Sequence, residues 1–282
     1  MRHIRFRVSR ANAIMTGTVE GNPPDRVRTD VSNLEFALAN VTLLSPTVPS
    51  AFRVFDSFEG HVKTGWQQRG LEVPSQWAES PTFYYSNPNS LYPHGADVPY
   101  PAYTKSLDFG LEIGCVIAVA GRDISIENAY GHIMGYTILN NWTARDVERN
   151  ELAIGLGPAK AKDFATSIGP WIVTPDELAD KSIGEGSTLR YDLTMVARIN
   201  GKVLSSGNLK DIHFTFAEMI ARASQGCELR RGDLISSGIV DGGCLLDLGI
   251  DDSLGRWLQI DDVVELEVER LGTLRNKIVT VS

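Results

Sequence analysis

The chain has 282 residues, 43% of them hydrophobic and 22% charged, with 27 Lys and Arg against 35 Asp and Glu for a formal net charge of −8. A pI near 5.2 argues against a basic surface for nucleic acid or anionic membranes, and the length suits one large domain or a large domain with a small appendage. No apolar run reaches the roughly 18 residues of a membrane helix, and no apolar segment follows the basic start "MRHIRFRVSR", so neither a membrane span nor a secretory signal is expected.

Residues 1–48 read as a small N-terminal β region and 49–282 as the main domain. "IRFRVS" and "AIMTGTVEG" are predicted strands around the turn "GNPPDR", and the prolines of "LLSPTVPSAF" mark a link. "DSFEGHVKTGWQQRGL" is helical in composition. The next stretch, rich in Pro, Asn, Ser and Tyr, is a loop carrying one aromatic strand, "TFYYS". "LDFGLEIGCVIAVAG" and "GYTILNNW" are strands, with a short helix at "SIENAYGHIMG" between them.

Thr143-Ala-Arg-Asp146 fits a capping box and predicts a helix opening at Thr143. Thr174 is placed as an N-cap with Pro175 at the first helical position and Glu177 at the third. Asn200-Gly201 sits at the centre of a predicted hairpin. Thr215 and Glu218 box a helix that stops at Gly226, and two or three strands close the chain. Many strands, few helices and a mixed order predict an α+β fold with a mostly β core.

The three cysteines, Cys115, Cys227 and Cys244, are odd in number and widely spaced. They fit reduced, mostly buried thiols in a cytoplasmic protein. In that setting the triplets Asn40-Val-Thr42 and Asn141-Trp-Thr143 carry no glycan. The chain has no Gly-x-Ser-x-Gly elbow, Walker loop, His-Glu-x-x-His or Cys-x-x-Cys, and "GLGPAK" has the wrong spacing for a phosphate loop.

The stretches "FEGHV", "FYYSNPNS", "LDFGLEIGCVIAVAGRDI", "GYTILNNWTARDVE", "GLGPAKAKDFATSIGPWIVTPDEL", "RINGKVLSSGNLKDIHFTFAEMIA", "RRGDLISSG" and "LGTLRNKI" together resemble the fumarylacetoacetate hydrolase superfamily, in order, over roughly residues 50 to 282. The resemblance implies a mixed β-roll core with a small N-terminal domain, a homodimer, and a divalent cation, Mg2+ or Ca2+ and sometimes Mn2+. It implies C–C hydrolysis, decarboxylation or tautomerisation of 1,3-diketo or 2-oxo acids through an enolate.

The family supplies its cation with Glu-x-Glu on one strand and an Asp ahead of the Ala-Arg-Asp helix. Here the strand reads Gly110-Leu111-Glu112, and the Asp position is Asn141. A hard cation wants charged oxygens, so Glu112 and Asn141 form a weak or vacant metal site, and no tightly bound metal is expected, with Mg or Ca possible if the site is still competent. On the residues alone, Glu112 reads as a solvated strand residue.

Other positions carry over by resemblance. His61 matches a lid histidine suited to proton transfer, with Glu59 as a nearby acid partner. Lys162 matches an active-site lysine, placed to enter the vacated space and pair with Glu112. Arg145 and Glu148, the latter where Gln is usual, share a helix face and read equally as a surface ion pair or as ligand contacts. Asn89 stands where His is frequent, and Ile239 replaces a Thr that holds substrate oxygen. Tyr84 is a candidate pocket residue, and Asp241 is read as capping a turn.

The expected function is a repurposed, metal-independent lyase, isomerase or cyclase-like enzyme acting on an enolisable 1,3-dicarbonyl or 2-oxo small molecule. A metal-dependent acylpyruvate-type hydrolase or decarboxylase and a non-catalytic small-molecule-binding protein stay open as alternatives.

Overall fold

The computed structural model describes residues 1–8 and 13–280. Ser9, the last residue of the first predicted strand, and Val281, the last of the closing strands, lie outside the described residues. In chain order the strands are β1 (Arg2–Val8), β2 (Ile14–Gly21), β3 (Pro24–Thr29), β4 (Glu35–Ala37), β5 (Val41–Leu44), β6 (Phe52–Phe55), β7 (Phe83–Ser86), β8 (Leu91–Pro93), β9 (Asp97–Pro99) and β10 (Leu107–Asp108). They continue with β11 (Leu111–Ile117), β12 (Ile133–Asn141), β13 (Thr143–Ala144), β14 (Thr166–Val173), β15 (Ser182–Ile183), β16 (Arg190–Tyr191), β17 (Thr194–Ile199), β18 (Lys202–Asn208), β19 (Leu234–Ile239), β20 (Val263–Val268) and β21 (Gly272–Val279). The α-helices are α1 (Glu59–Gln67), α2 (Arg145–Ala153), α3 (Phe216–Ser224) and α4 (Leu245–Leu248).

A twelve-stranded sheet runs β4-β3-β2-β1-β14-β12-β11-β19-β6-β7, with β5 on β1 and β8 on β14. Its centre, β11, β12, β14 and β19, is buried almost throughout, as strands covered on both faces must be. A five-stranded sheet, β18-β17-β20-β21-β9, packs β20 and β21 against β12 and β14. Helix α3 lies against β19. The N-terminal strands join the large sheet through the antiparallel β1–β14 pairing, Arg2 opposite Val173. No helix among the described residues is long and apolar enough to cross a membrane.

The hairpin forms as expected. Asn200 (φ 52°) and Gly201 (φ 79°) both take the left-handed conformation that a two-residue turn demands. The Thr215–Glu218 capping box forms in both directions. The segments Ile126–His132 and Pro175–Lys181 are 3-10 helices, the latter with Thr174 at its N-cap and Pro at its start. The Thr143 capping box does not form. Helix α2 begins at Arg145 behind Ala144, while Thr143 lies in β13. The Thr143 hydroxyl donates to the Asn141 carbonyl and accepts from Lys162, and Asp146 instead receives the Thr104 hydroxyl and the Lys105 amide.

Candidate active site

Buried polar residues cost folding energy unless they are hydrogen-bonded, so their concentration marks a site. Asp108, Glu112, Asn140, Asn141, Thr143, Arg145, Lys162 and Ser236 are all at most 6% exposed and lie where β10 to β13, the start of α2 and β19 converge. Beside them opens a cavity of about 810 Å³. Its walls include Asp56, His61, Tyr84, Glu112, Arg145, Glu148, Lys162 and Ile239, and the exposed side chains of Arg69, Leu71 and Arg149 line it as well.

His61 is carried on the first turn of α1. The Asp241 carboxylate accepts from the His61 backbone N–H at 2.9 Å, satisfying one of the free donors at that helix start. A β-carbon on Gly60 would stand 2.6 Å from the Asp241 carboxyl carbon, so only glycine lets that carboxylate approach. The His61 ring turns to Asp247, with Nδ1 at 2.8 and 2.9 Å from the two carboxylate oxygens. The His61 side chain is part-buried and that of Asp247 buried, at 13% and 3% exposure. Burial opposes charge on the imidazole, but the charge and hydrogen bond of Asp247 outweigh it and raise its pKa above the ordinary value. Burial also works against the Asp247 carboxylate, and His61 holds its pKa down in spite of that. With Nδ1 committed to Asp247, Nε2 is the nitrogen left for proton transfer.

Asp108 ties this pair to the cationic wall. Its carboxylate accepts the Leu245 and Leu246 amides at 2.8 and 3.2 Å, fixing the start of α4, which carries Asp247. It also accepts from Arg145 Nε at 2.9 Å. Arg145 Nη1 donates to Glu148 at 2.8 Å, and Lys162 Nζ lies 3.7 Å from the other Glu148 oxygen while donating to Thr143 Oγ1 at 2.7 Å. Burial would raise the Glu148 carboxyl, yet Arg145 and Lys162 hold it at about 2.

The expected cation corner is packed differently. Glu112 is buried, 1% exposed, not the solvated strand residue its type alone suggests. One of its oxygens accepts from the Asn141 amide at 3.0 Å, and the other receives the Ser236 hydroxyl. Burial raises the Glu112 carboxyl, with the nearby Lys162 charge acting against that. Asn141 turns its NH2 group, not its oxygen, toward Glu112, and donates a second hydrogen bond to the Tyr84 hydroxyl at 2.8 Å. The volume beside Gly110 is taken by Ile239, whose Cδ1 would stand 2.9 Å from an added β-carbon.

A hard divalent ion needs several converging charged oxygens. Here both oxygens of the one carboxylate already accept hydrogen bonds, the amide presents its NH2 group, and an isoleucine fills the third position. The buried, unpartnered Asn141 Oδ1 is a neutral oxygen, and Asp56 is the remaining carboxylate on that side of the cavity. This corner, as packed, does not fit a tightly held cation.

The structure therefore brings His61, Lys162, Tyr84, Arg145, Glu148, Ile239, Glu112 and Asn141 to one site. It corrects three further expectations. Glu59 is half-exposed and pairs with Lys63 at 2.7 Å, because the α1 turn that points His61 inward points its neighbour outward. Asn89 is exposed, its amide held by the Asn87 side chain, and does not line the cavity. Lys162 reaches Glu148 rather than Glu112. Asp241 caps α1. Arg145 and Glu148 are an ion pair, but a buried one. Asp56, Asp108 and Asp247 were missed. Asp56 opens the quoted stretch "DSFEGHVKTGWQQRGL" and Asp108 lies in "LDFGLEIGCVIAVAG", whereas nothing around Asp247 advertises it.

Residues 50–279 match the fumarylacetoacetate (FAA) hydrolase C-terminal family, and the chain belongs to that family. It is 30% identical over 257 residues to a fumarylacetoacetase of Arabidopsis thaliana, a match covering 75% of this chain and 61% of that protein. It is 31% identical over 201 residues to the oxaloacetate tautomerase YisK of Bacillus subtilis (strain 168), covering 71% of this chain and 62% of the relative. The chain thus spans about three-fifths of the length of these curated relatives. The crystal structure of a 5-carboxymethyl-2-hydroxymuconate delta-isomerase from Mycobacterium smegmatis superposes with a TM-score of 0.78 at 22% identity over all of both chains. The α+β, mostly β fold is the one this family shares.

Proposed function

We propose that this protein catalyses proton transfer at an enolisable 1,3-dicarbonyl or 2-oxo acid, as a lyase, isomerase or tautomerase that does not require a divalent cation. The observation that carries this reading is that His61, paired with Asp247, lines the same cavity as Arg145 and Lys162. His61 Nε2 removes or returns the proton next to the carbonyl, with Asp247 holding the ring and balancing its charge. Lys162 and Arg145 supply preorganised positive charge to the developing enolate, the electrostatic role a cation serves elsewhere. Residues 1–48 act as a small N-terminal unit ahead of the catalytic one. A homodimer goes with the family resemblance, and a cytoplasmic location with the three cysteines that form no disulfide.

A second reading is supported by Asp56 and by the unpartnered Asn141 oxygen. With the amide turned over, Asp56, Glu112 and Asn141 hold a weak Mg2+ and the protein is an acylpyruvate-type hydrolase. Metal analysis together with turnover of oxaloacetate and of an acylpyruvate, with and without chelator, separates the two. The first expects chelator-resistant turnover that His61→Ala abolishes. Loss of activity on chelation with recovery in Mg2+ or Mn2+ sinks it, and ligand binding without turnover of any enolisable substrate favours a non-catalytic member.

A further inference from the structure

We propose that the Tyr84 hydroxyl is the neutral hydrogen-bond donor that meets the substrate oxygen, and that a relay from Glu112 through Asn141 aims it there. The proposal rests on the cation-free enolate reading and names the group that stands in for the ion.

An amide nitrogen has two hydrogens to give and accepts none. Asn141 Nδ2 lies 3.0 Å from Glu112 Oε1 and 2.8 Å from Tyr84 Oη. The Glu112 carboxylate takes the first hydrogen and is locked from behind by the Ser236 hydroxyl. The Tyr84 oxygen takes the second, so its own O–H cannot return to Asn141. Among the described residues the Tyr84 hydroxyl has no other hydrogen-bond partner, and its side chain forms part of the cavity wall. The O–H is therefore free for a ligand, and accepting from Asn141 makes it a stronger donor, since linked hydrogen bonds polarise one another. Burial first, then the charge of Glu112, pushes the phenol well above its ordinary value, so it stays protonated.

This gives Asn141 a purpose. A carboxylate at position 141 would face Glu112 at about 3 Å with like charge, and would accept the Tyr84 proton instead of donating to its oxygen. Replacing the acid by its amide reverses the direction of that hydrogen bond and turns Tyr84 from a donor to position 141 into a donor to the cavity.

The test uses oxalate, a planar mimic of a 2-oxo acid enolate, titrated calorimetrically in chelator, beside oxaloacetate turnover and thermal melting. Tyr84→Phe should weaken oxalate about 10-fold and lower kcat on the order of 100-fold with little change in KM, while the melting temperature holds. Asn141→Asp should show a similar loss in chelator, and Tyr84→Phe/Asn141→Asp should be no weaker than the worse single variant. Wild-type affinity in Tyr84→Phe overturns the relay alone. So do fully additive losses in the double variant, because Asn141 would then act without Tyr84. Should Asn141→Asp not fold, Tyr84→Phe still decides. Oxalate failing to bind the wild type overturns the enolate reading, and this proposal with it.

Discussion

Ile239 occupies the space that a side chain on Gly110 would enter. A β-carbon at Gly110 would lie 2.9 Å from Ile239 Cδ1, 3.0 Å from Cγ1 and 2.9 Å from the Asn141 carbonyl oxygen. By family resemblance, Gly in place of an acid at 110 and Ile in place of Thr at 239 read as two separate changes. In the structure the two positions pack together, since Ile239 sits across from Glu112 in the β11–β19 pairing and fills the space beside Gly110. Gly110→Ala should cost about 1–3 kcal/mol in urea denaturation. Ile239→Ala added to it should recover part of that and not all, because the Asn141 carbonyl cannot be trimmed. Full recovery would mean that the backbone contact is soft and the account wrong.

The local signals were legible because they are short in range. Asn200-Gly201 and Thr215/Glu218 act within four residues, and both formed. Thr143-Ala-Arg-Asp146 matched the same kind of rule and failed, since Lys162 and Thr104, distant in the chain, claimed both hydroxyl and carboxylate. The His61–Asp247 pairing was illegible for the same reason. His61 and Asp247 are 186 residues apart, and only the fold brings α1 to α4. Glu59 is near His61 in sequence, but positions two apart on a helix do not share a face.

The raised His61 imidazole fixes the direction of a pH profile. A base must be neutral to accept a proton, and Asp247 favours the charged form. The acid limb of kcat/KM for oxaloacetate should therefore have its midpoint above the ordinary histidine value of about 6.5. Asp247→Asn should move that midpoint to lower pH. The same pair favours the folded state below the unfolded histidine pKa, a contribution lost as pH rises through the folded one. A limb that stays in place in Asp247→Asn would separate the profile from His61.

Thiol chemistry checks burial independently. Cys115 and Cys244 are buried and Cys227 is exposed. Burial pushes both buried thiols well above their usual range, which suppresses the reactive thiolate. An aromatic disulfide reagent should modify one thiol per folded chain quickly, none in Cys227→Ser, and all three after denaturation. Cys244 Sγ lies 3.9 Å from His61 Nδ1, so its fast modification in the folded protein would show that the surroundings of His61 are open.

Glu148 makes the strongest electrostatic prediction. Its carboxylate sits between Arg145 and Lys162 and is held at about 2. A depressed carboxyl stabilises the fold above its unfolded pKa, near 4.5, and that contribution fades as pH falls toward 2. The linkage is on the order of 3 kcal/mol at neutral pH. Glu148→Gln should thus be less stable than the wild type by roughly that amount at pH 7 in urea titrations, with the gap closing as the pH drops below about 4.5. The same change leaves Arg145 and Lys162 without their shared counter-charge. Oxalate should then bind several-fold more tightly, because an anionic ligand would no longer compete with a carboxylate already in place. A stability gap that does not depend on pH would show that Glu148 acts through packing, and unchanged oxalate affinity would place the ligand away from the two cations.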